Sequence, residues 1–345
     1  MDDWQQRAAN WHYAHGKPQI EAVFRQQPEH FRVVEELGFT PEQADDSQHH
    51  WLYIRKRNLN TAQVVRSLAR FAGVQQRDIG YSGLKDKFAI TEQWFSVQLP
   101  LSATPDWYSA DIEGVEILDA RRSGKKLKRG VHRANRFIIT LTDVENPDAL
   151  TDRFNQVCQG VPNYFGEQRF GYQFRNLSQA LDMFNGKRIR DRNLRSILLS
   201  AARSFVFNEV LSARWRQQQN LKPLVGDVFI LSGSQSWFCS EEITTEISQR
   251  LNESDILFSG PMWGRGQPLS LLDALELESS ITGAIADEYP KLMDGLEKAG
   301  LKQERRAAIL VPEQPSITVQ DDRAELAFSL PRGTFATSLL RELII

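Results

Sequence analysis

Hydrophobic and polar positions along this chain follow two periods, and the change from one to the other divides it into regions. Residues 31–38 and 50–56 read as strands. In the second, Trp51, Tyr53 and Arg55 alternate with Leu52, Ile54 and Lys56. Thr61 to Ala72 predicts a helix: Asn60 stands at its cap, Val64, Leu68 and Phe71 or Ala72 share a face, and Gly73 ends it. Strand-like segments follow at 93–99, 115–120 and 136–142, and Asn146-Pro147 opens a helix that runs to Gly160. From Asn176 to Leu310 the period becomes mainly helical, with Leu194, Ile197, Leu198, Ala201, Phe205 and Val210 marking a long helix over 191–217. A short β-like piece, 226–231, interrupts it. After Pro312 two strand patterns, 316–320 and 325–330, flank Asp321-Asp322 as a hairpin, and a helix over 334–343 follows.

Strand-rich flanks around a helix-rich middle predict an α+β protein, one mixed domain built from both ends with a second domain inserted. Composition changes little in that picture. The chain has 345 residues, 41% hydrophobic and 25% charged, an ordinary globular balance. Forty-two basic residues against 44 acidic ones give a net charge of −2, so a polyanion would have to be held by local patches. Two cysteines, Cys158 and Cys239, exclude a disulfide scaffold and suit a reducing compartment. Met1 to Ile20 lacks the apolar core of a signal peptide, and no run approaches the roughly 20 apolar residues of a membrane span. The expectation is a cytoplasmic protein away from the membrane.

The densest positive stretch runs from Arg121 to Arg136 and holds Arg121, Arg122, Lys125, Lys126, Lys128, Arg129, Arg133 and Arg136 without an acid. With Gly124 and Gly130 it reads as a flexible loop able to track phosphates. A second run, Lys187 to Arg195, fits a solvated helix face equally well. Asn135 and Phe137 share one side of the strand that follows the loop, where an aromatic can stack on a base and an amide can read its edge. A core role for Phe137 fits the same pattern. Asn163 to Gly171, Asn-Tyr-Phe-Gly-Glu-Gln-Arg-Phe-Gly, mixes aromatics and amides at the domain junction. Gly83 to Gln93, Gly-Leu-Lys-Asp-Lys-Phe-Ala-Ile-Thr-Glu-Gln, places Asp86 between Lys85 and Lys87 at a bend before a strand. A carboxylate with basic neighbours can stay ionised there, though a solvated turn would use the same residues. No phosphate-binding loop, nucleophile elbow, Cys-x-x-Cys pair or metal-ligand spacing is present, so no metal or organic cofactor is expected.

The stretch from Gly83 resembles the signature of the TruD family of tRNA pseudouridine synthases, Gly-x-Lys-Asp-x-x-Ala-x-Thr-x-Gln. It is met at Gly83, Lys85, Asp86, Ala89, Thr91 and Gln93. Further resemblance lies at Asn135-Arg136-Phe137, Asn163 to Gly171, and Leu330 to Thr337 with Arg341-Glu342-Leu343. The motifs come in the family's order and span about Ile20 to Leu343. The resemblance implies a pseudouridine synthase catalytic domain with a mixed, largely antiparallel sheet, over 1–160 and 310–345. A mainly helical TRUD-type insert would occupy 161–309. It makes Asp86 the catalytic nucleophile. Arg25, Lys85, Asn135, Phe137, Asn163 and Phe335 are its substrate-binding candidates, with Phe137 and Phe335 near the base. Many relatives carry Lys where Arg25 stands, three residues before Pro28, and the two cations differ in geometry and hydration.

The implied activity is an isomerase converting a uridine of tRNA, at position 13, to pseudouridine, with Arg121, Arg122, Lys125, Lys126, Lys128 and Arg129 as RNA-backbone contacts. No protein partner is implied. Two other classes use some of these features. A non-catalytic RNA-binding or RNA-chaperone protein would need the basic loop and aromatics but not Asp86. An aspartate-dependent nucleoside glycosylase would need a second acid, for which Glu92 and Glu167 are available.

Overall fold

The computed structural model describes residues 3–218 and 221–345. The chain divides into two compact units. One holds Gln19–Phe154, Pro312–Gly333 and Ile344–Ile345; the other holds the N-terminal segment to Pro18, Asn155–Val311 and Thr334–Leu343.

Seven strands trace the first unit: β1 Phe31–Glu36, β2 His49–Arg57, β3 Ile90–Gln98, β4 Val115–Ser123, β5 Ala134–Thr142, β6 Glu313–Gln320 and β7 Arg323–Pro331. They lie in the order β6-β7-β5-β1-β3-β2-β4. Two short strands, Val23–Phe24 and Ile79–Tyr81, pair with β5 and β3 and complete a nine-stranded sheet. Only β1 and β3 run parallel; the other pairings are antiparallel. The expected mixed, largely antiparallel sheet is therefore observed, within an α+β chain.

Local chemistry explains the helix on this sheet. Asn60 and Gln63 form a capping box at the start of Thr61–Ala72, and Gly73 closes it at φ +66°, a conformation that penalises other residues. Its buried Val64, Val65 and Leu68 pack with Leu52, Ile54, Phe95 and Val97 from β2 and β3. Two of the boundary differences from the sequence pattern bear on the site. β3 begins at Ile90 rather than 93, because Ile90–Glu92 pair with Arg32–Val34 of β1. The basic stretch is mostly strand at its ends: Arg121 and Arg122 close β4, and Asn135 and Arg136 open β5.

The second unit carries helices Arg175–Phe184, Arg192–Gln218, Leu272–Glu288 and Pro290–Lys298 around a four-stranded antiparallel sheet. Three of those strands, Trp237–Cys239, Ile256–Met262 and Glu304–Ala307, carry no clear alternating pattern. The last has three charged residues, and the strand beside it contains Gly260-Pro261. Burial partners make it possible: Arg305 forms a buried pair with Glu278 at 2.8 Å. The N-terminal segment and Thr334–Leu343, which the sequence reading joins to the flanking domain, pack in this unit. Trp4 stacks on Tyr289 at 5.1 Å and Trp11 on Tyr164 at 5.5 Å, while the Ser338 hydroxyl donates to the Tyr164 carbonyl. Among the described residues no helix is long and apolar enough to cross a membrane.

Candidate active site

The bend Gly83–Asp86 is held by its backbone, one atom at a time, from buried partners. Gln93 Nε2 donates to the Gly83 carbonyl at 3.1 Å, and the Lys85 N–H donates to Thr61 Oγ1 at 3.0 Å. Thr61 Oγ1 in turn donates to Gln93 Oε1, so one side-chain pair serves both contacts. Lys56 Nζ donates to the Asp86 carbonyl at 2.7 Å. Lys85 points inward, where its ammonium meets Glu35 at 2.8 Å with both side chains nearly inaccessible. Glu35 also accepts from the Trp94 N–H, continuing the β1–β3 ladder with a side chain. Lys85, a substrate-binding candidate from the sequence, is thus engaged by Glu35.

Asp86 does not join that buried pair. Its carboxylate stays about a third exposed and lies 3.5 Å from Arg25 Nη2. Arg25 is itself pinned: Nε donates to the Phe88 carbonyl at 3.1 Å, and the guanidinium covers the Phe31 ring at 4.4 Å. Its φ of +66° costs about 1–2 kcal/mol, which these contacts offset. Phe31 meets Phe137 edge-on at 6.0 Å, and Phe137 stacks on Phe328 at 5.8 Å. Asn135 lies across from Glu35 and Phe137 across from Val33, so the two share a sheet face with Phe31. Asn135 Oδ1 is buried with no hydrogen-bond partner among the described residues. A buried acceptor left open is costly unless a ligand donates to it.

Behind the bend, Ser82 Oγ and His132 Nδ1 are 2.6 Å apart and both side chains are buried. Burial pushes the His132 imidazole down to about 4, with Lys85 and Arg332 adding to the effect. It stays neutral at physiological pH and serves as a packing and hydrogen-bonding group. Among the described residues no three His, Cys, Asp or Glu side chains converge to hold a metal.

The basic loop is anchored along its length. Trp51 Nε1 donates to the Lys125 carbonyl at 2.7 Å, the Leu127 N–H donates to Ser96 Oγ, and Arg129 lies 3.6 Å from the Tyr81 ring centre. A Cβ on Gly80 would stand 2.2 Å from the Leu127 carbonyl oxygen, so only glycine lets the loop approach. Lys125, Lys128 and Arg129 remain exposed. With Arg77, Tyr81, Lys126 and Leu127 the last two line a groove of about 500 Å³. Arg122 does not face it. Its guanidinium donates to the carbonyls of Asp45, Ser47, Leu101 and Ala103 and ties loops together. Arg121 pairs with Asp119.

Asn163 and Phe335 belong to the other unit. Asn163 is buried: Nδ2 donates to the Ala307 carbonyl at 2.9 Å and Oδ1 accepts from Arg306 at 3.0 Å. Phe335 lies 6.1 Å from Phe165 and 5.8 Å from the Arg169 guanidinium. Burial pushes Arg306 down to about 9, with nearby Arg169 adding to it. The residues that sequence pattern passes over in the first unit are Phe31, Glu35 and Lys56. The signal was there in the last two, because each continues an apolar strand face with a charge.

The fold has a solved counterpart. A crystal structure of a TruD protein from Methanosarcina mazei superposes with a TM-score of 0.73, covering 96% of this chain and 95% of that one, at 19% identity. The class is therefore the TruD fold. The family described as tRNA pseudouridine synthase D (TruD) matches residues 9–177 and 174–343. Proteins named tRNA pseudouridine synthase D are similar throughout. That of Shewanella oneidensis is 45% identical over 334 residues, 96% of this chain and 88% of its own length. That of Pseudoalteromonas atlantica is 42% identical over 341 residues, 97% and 96%. The chain belongs to the TruD family.

Proposed function

We propose that this chain is a tRNA pseudouridine synthase that isomerises the uridine at position 13, with Asp86 as its nucleophile. Family membership supports the coarser part, a tRNA pseudouridine synthase and so an isomerase. The observation that carries the finer part is Asp86 itself. Its backbone is held by the buried Lys56 while its carboxylate is left partly exposed beside Arg25, whose guanidinium covers Phe31. A reactive group needs that combination of fixed position and open access.

The reaction breaks the N1–C1′ bond of uridine and forms C5–C1′; the C5 hydrogen leaves to solvent and N1 takes a proton. Asp86 attacks either the ribose C1′ or the base C6. The target base must leave its stack, which costs a few kcal/mol. Stacking on Phe137, which is buried between Phe31 and Phe328, would repay part of that, and Asn135 Oδ1 can accept an N–H from the base edge. In this reading the sheet unit is the catalytic domain and the helix-rich unit the TRUD-type insert. Lys125, Lys128 and Arg129 contact the RNA backbone. Roles for Asn163 and Phe335 toward the base rest on resemblance alone.

The test is tritium release from tRNA labelled at uridine C5, with wild type and Asp86→Asn side by side and the modified position mapped. Release by wild type at position 13 is expected, with Asp86→Asn at least about a thousandfold slower and tRNA affinity within a few-fold. Normal turnover in Asp86→Asn removes the nucleophile assignment; modification elsewhere removes the position.

A further inference from the structure

Strand β2 carries its buried face through Leu52 and Ile54 to Lys56, and all three are fully inaccessible. An ammonium in that register is unusual, because burying a charge is costly unless an opposite charge stands beside it. Lys56 has no ion pair with a carboxylate among the described residues. Its Nζ instead donates to two backbone carbonyls, Leu59 at 2.6 Å and Asp86 at 2.7 Å. Methionine would fill the same space without the charge. What the charge adds is a strong, directed hydrogen bond to the backbone of the proposed nucleophile.

Among the described residues the other contacts on the bend leave the Asp86 backbone unheld, Arg25 reaching only its carboxylate. Gln93 holds the Gly83 carbonyl, Thr61 the Lys85 N–H, and Arg25 the Phe88 carbonyl. These fix the chain on either side. Among the described residues Lys56 alone grips the Asp86 backbone, and that grip sets the direction in which its carboxylate leaves the chain.

We propose that Lys56 is a positioning residue for Asp86, holding its carbonyl so that the carboxylate stays aimed at the bound nucleotide. This rests on the reading of Asp86 as the nucleophile. The hydrogen bond to Leu59 allows a rival, purely structural role: closing the turn between β2 and the Thr61–Ala72 helix. The two differ in what they predict for chemistry on folded enzyme.

Titration supplies a readout that needs no variant. Burial pushes Lys56 down to about 8; the Asp86 charge pulls it up and Lys85 pushes it further down. Those are the charged groups facing it from the bend, and the strands flanking β2 place Thr91 and Val115 opposite, neither titratable. The charged form is present below about pH 8 and is lost above it. A neutral amine holds a carbonyl more weakly than an ammonium.

The experiment is the single-turnover rate of C5 tritium release with enzyme saturating over tRNA, alongside tRNA retention on filters and melting temperature. Wild type, Asp86→Asn, Lys56→Met and Lys56→Gln are compared. Lys56→Met is expected to be about 100-fold slower, the size of effect a small misplacement brings, with tRNA retention within threefold of wild type. Lys56→Gln keeps a donor and should fall between. In wild type the rate should decline as pH rises through about 8 while retention does not. Lys56→Met that releases tritium at the wild-type rate, whatever its melting temperature, overturns the proposal. So does a wild-type rate flat across pH 8 if the variants do not fold. An active Asp86→Asn instead sinks the nucleophile reading beneath it.

Discussion

The bend that carries Asp86 and the cluster around Asn163 both match family motifs, yet the two regions handle polar side chains in opposite ways. At the bend, Gln93, Thr61, Lys56 and Lys85 all bind inward, and one carboxylate is left to solvent with Arg25 as its neighbour. At the cluster, Asn163 accepts from Arg306 and donates to Ala307, and nothing on its side chain faces outward. A motif position thus identifies a residue that the fold needs. Whether the need is chemical or architectural depends on which atoms stay open, as at Asn135 Oδ1, which has no partner among the described residues, and at the Asp86 carboxylate, about a third exposed beside Arg25.

Four substitutions sharpen that contrast. The largest effect is expected from Lys85→Met, which strands Glu35 as an unpaired buried charge. It should cost about 3–5 kcal/mol in chemical denaturation, and Lys85→Met with Glu35→Leu should recover most of the loss. A single-variant loss below about 1 kcal/mol would mean that water reaches the pair. Next, Asn163→Ala should lower stability by about 1–3 kcal/mol, since Arg306 and the Ala307 carbonyl each lose a partner, while folded enzyme turns over normally. Asn135→Ala should do the reverse, slowing turnover about 10–100-fold with little change in melting temperature. Identical behaviour of the two would erase the distinction between the regions.

The smallest effect concerns the basic loop. Neutralising Lys125, Lys126 and Lys128 together should make log affinity for tRNA less steep in log salt, by roughly 0.7–0.9 for each phosphate no longer neutralised. Arg122→Ala, which removes donors to four carbonyls, should destabilise the protein and leave that slope unchanged. A slope that moves with Arg122 and not with the lysines would reverse the two assignments.

Local chemistry that acts within a few residues was legible in the chain. Asn60 and Gly73 bound the helix 61–72 at the positions their side chains and backbone freedom dictate, and the hairpin turns at Asp321-Asp322. Family motifs marked Asp86 and its neighbourhood. What the sequence could not carry was the pairing of distant segments. The parallel register Val33 to Thr91, which draws the motif's end into a strand, joins residues far apart along the chain and leaves no periodic trace. The strand Glu304–Ala307 reads as charged and becomes a strand because Glu278 and Asn163 receive its arginines.

The same division applies to the site. Sequence alone determined which carboxylate the motif singles out and which residue types stand next to it, because a short motif sets them side by side in the chain. Tertiary structure decided which cations serve it. Lys85 is adjacent in the chain yet faces Glu35, whereas Lys56 and Arg25 come from distant segments to hold its carbonyl and flank its carboxylate. The reason is geometric: Lys85 and Asp86 lie on irregular chain just before β3, and their partners reach them from Glu35 of β1, Lys56 of β2 and Arg25 rather than from the residue alongside.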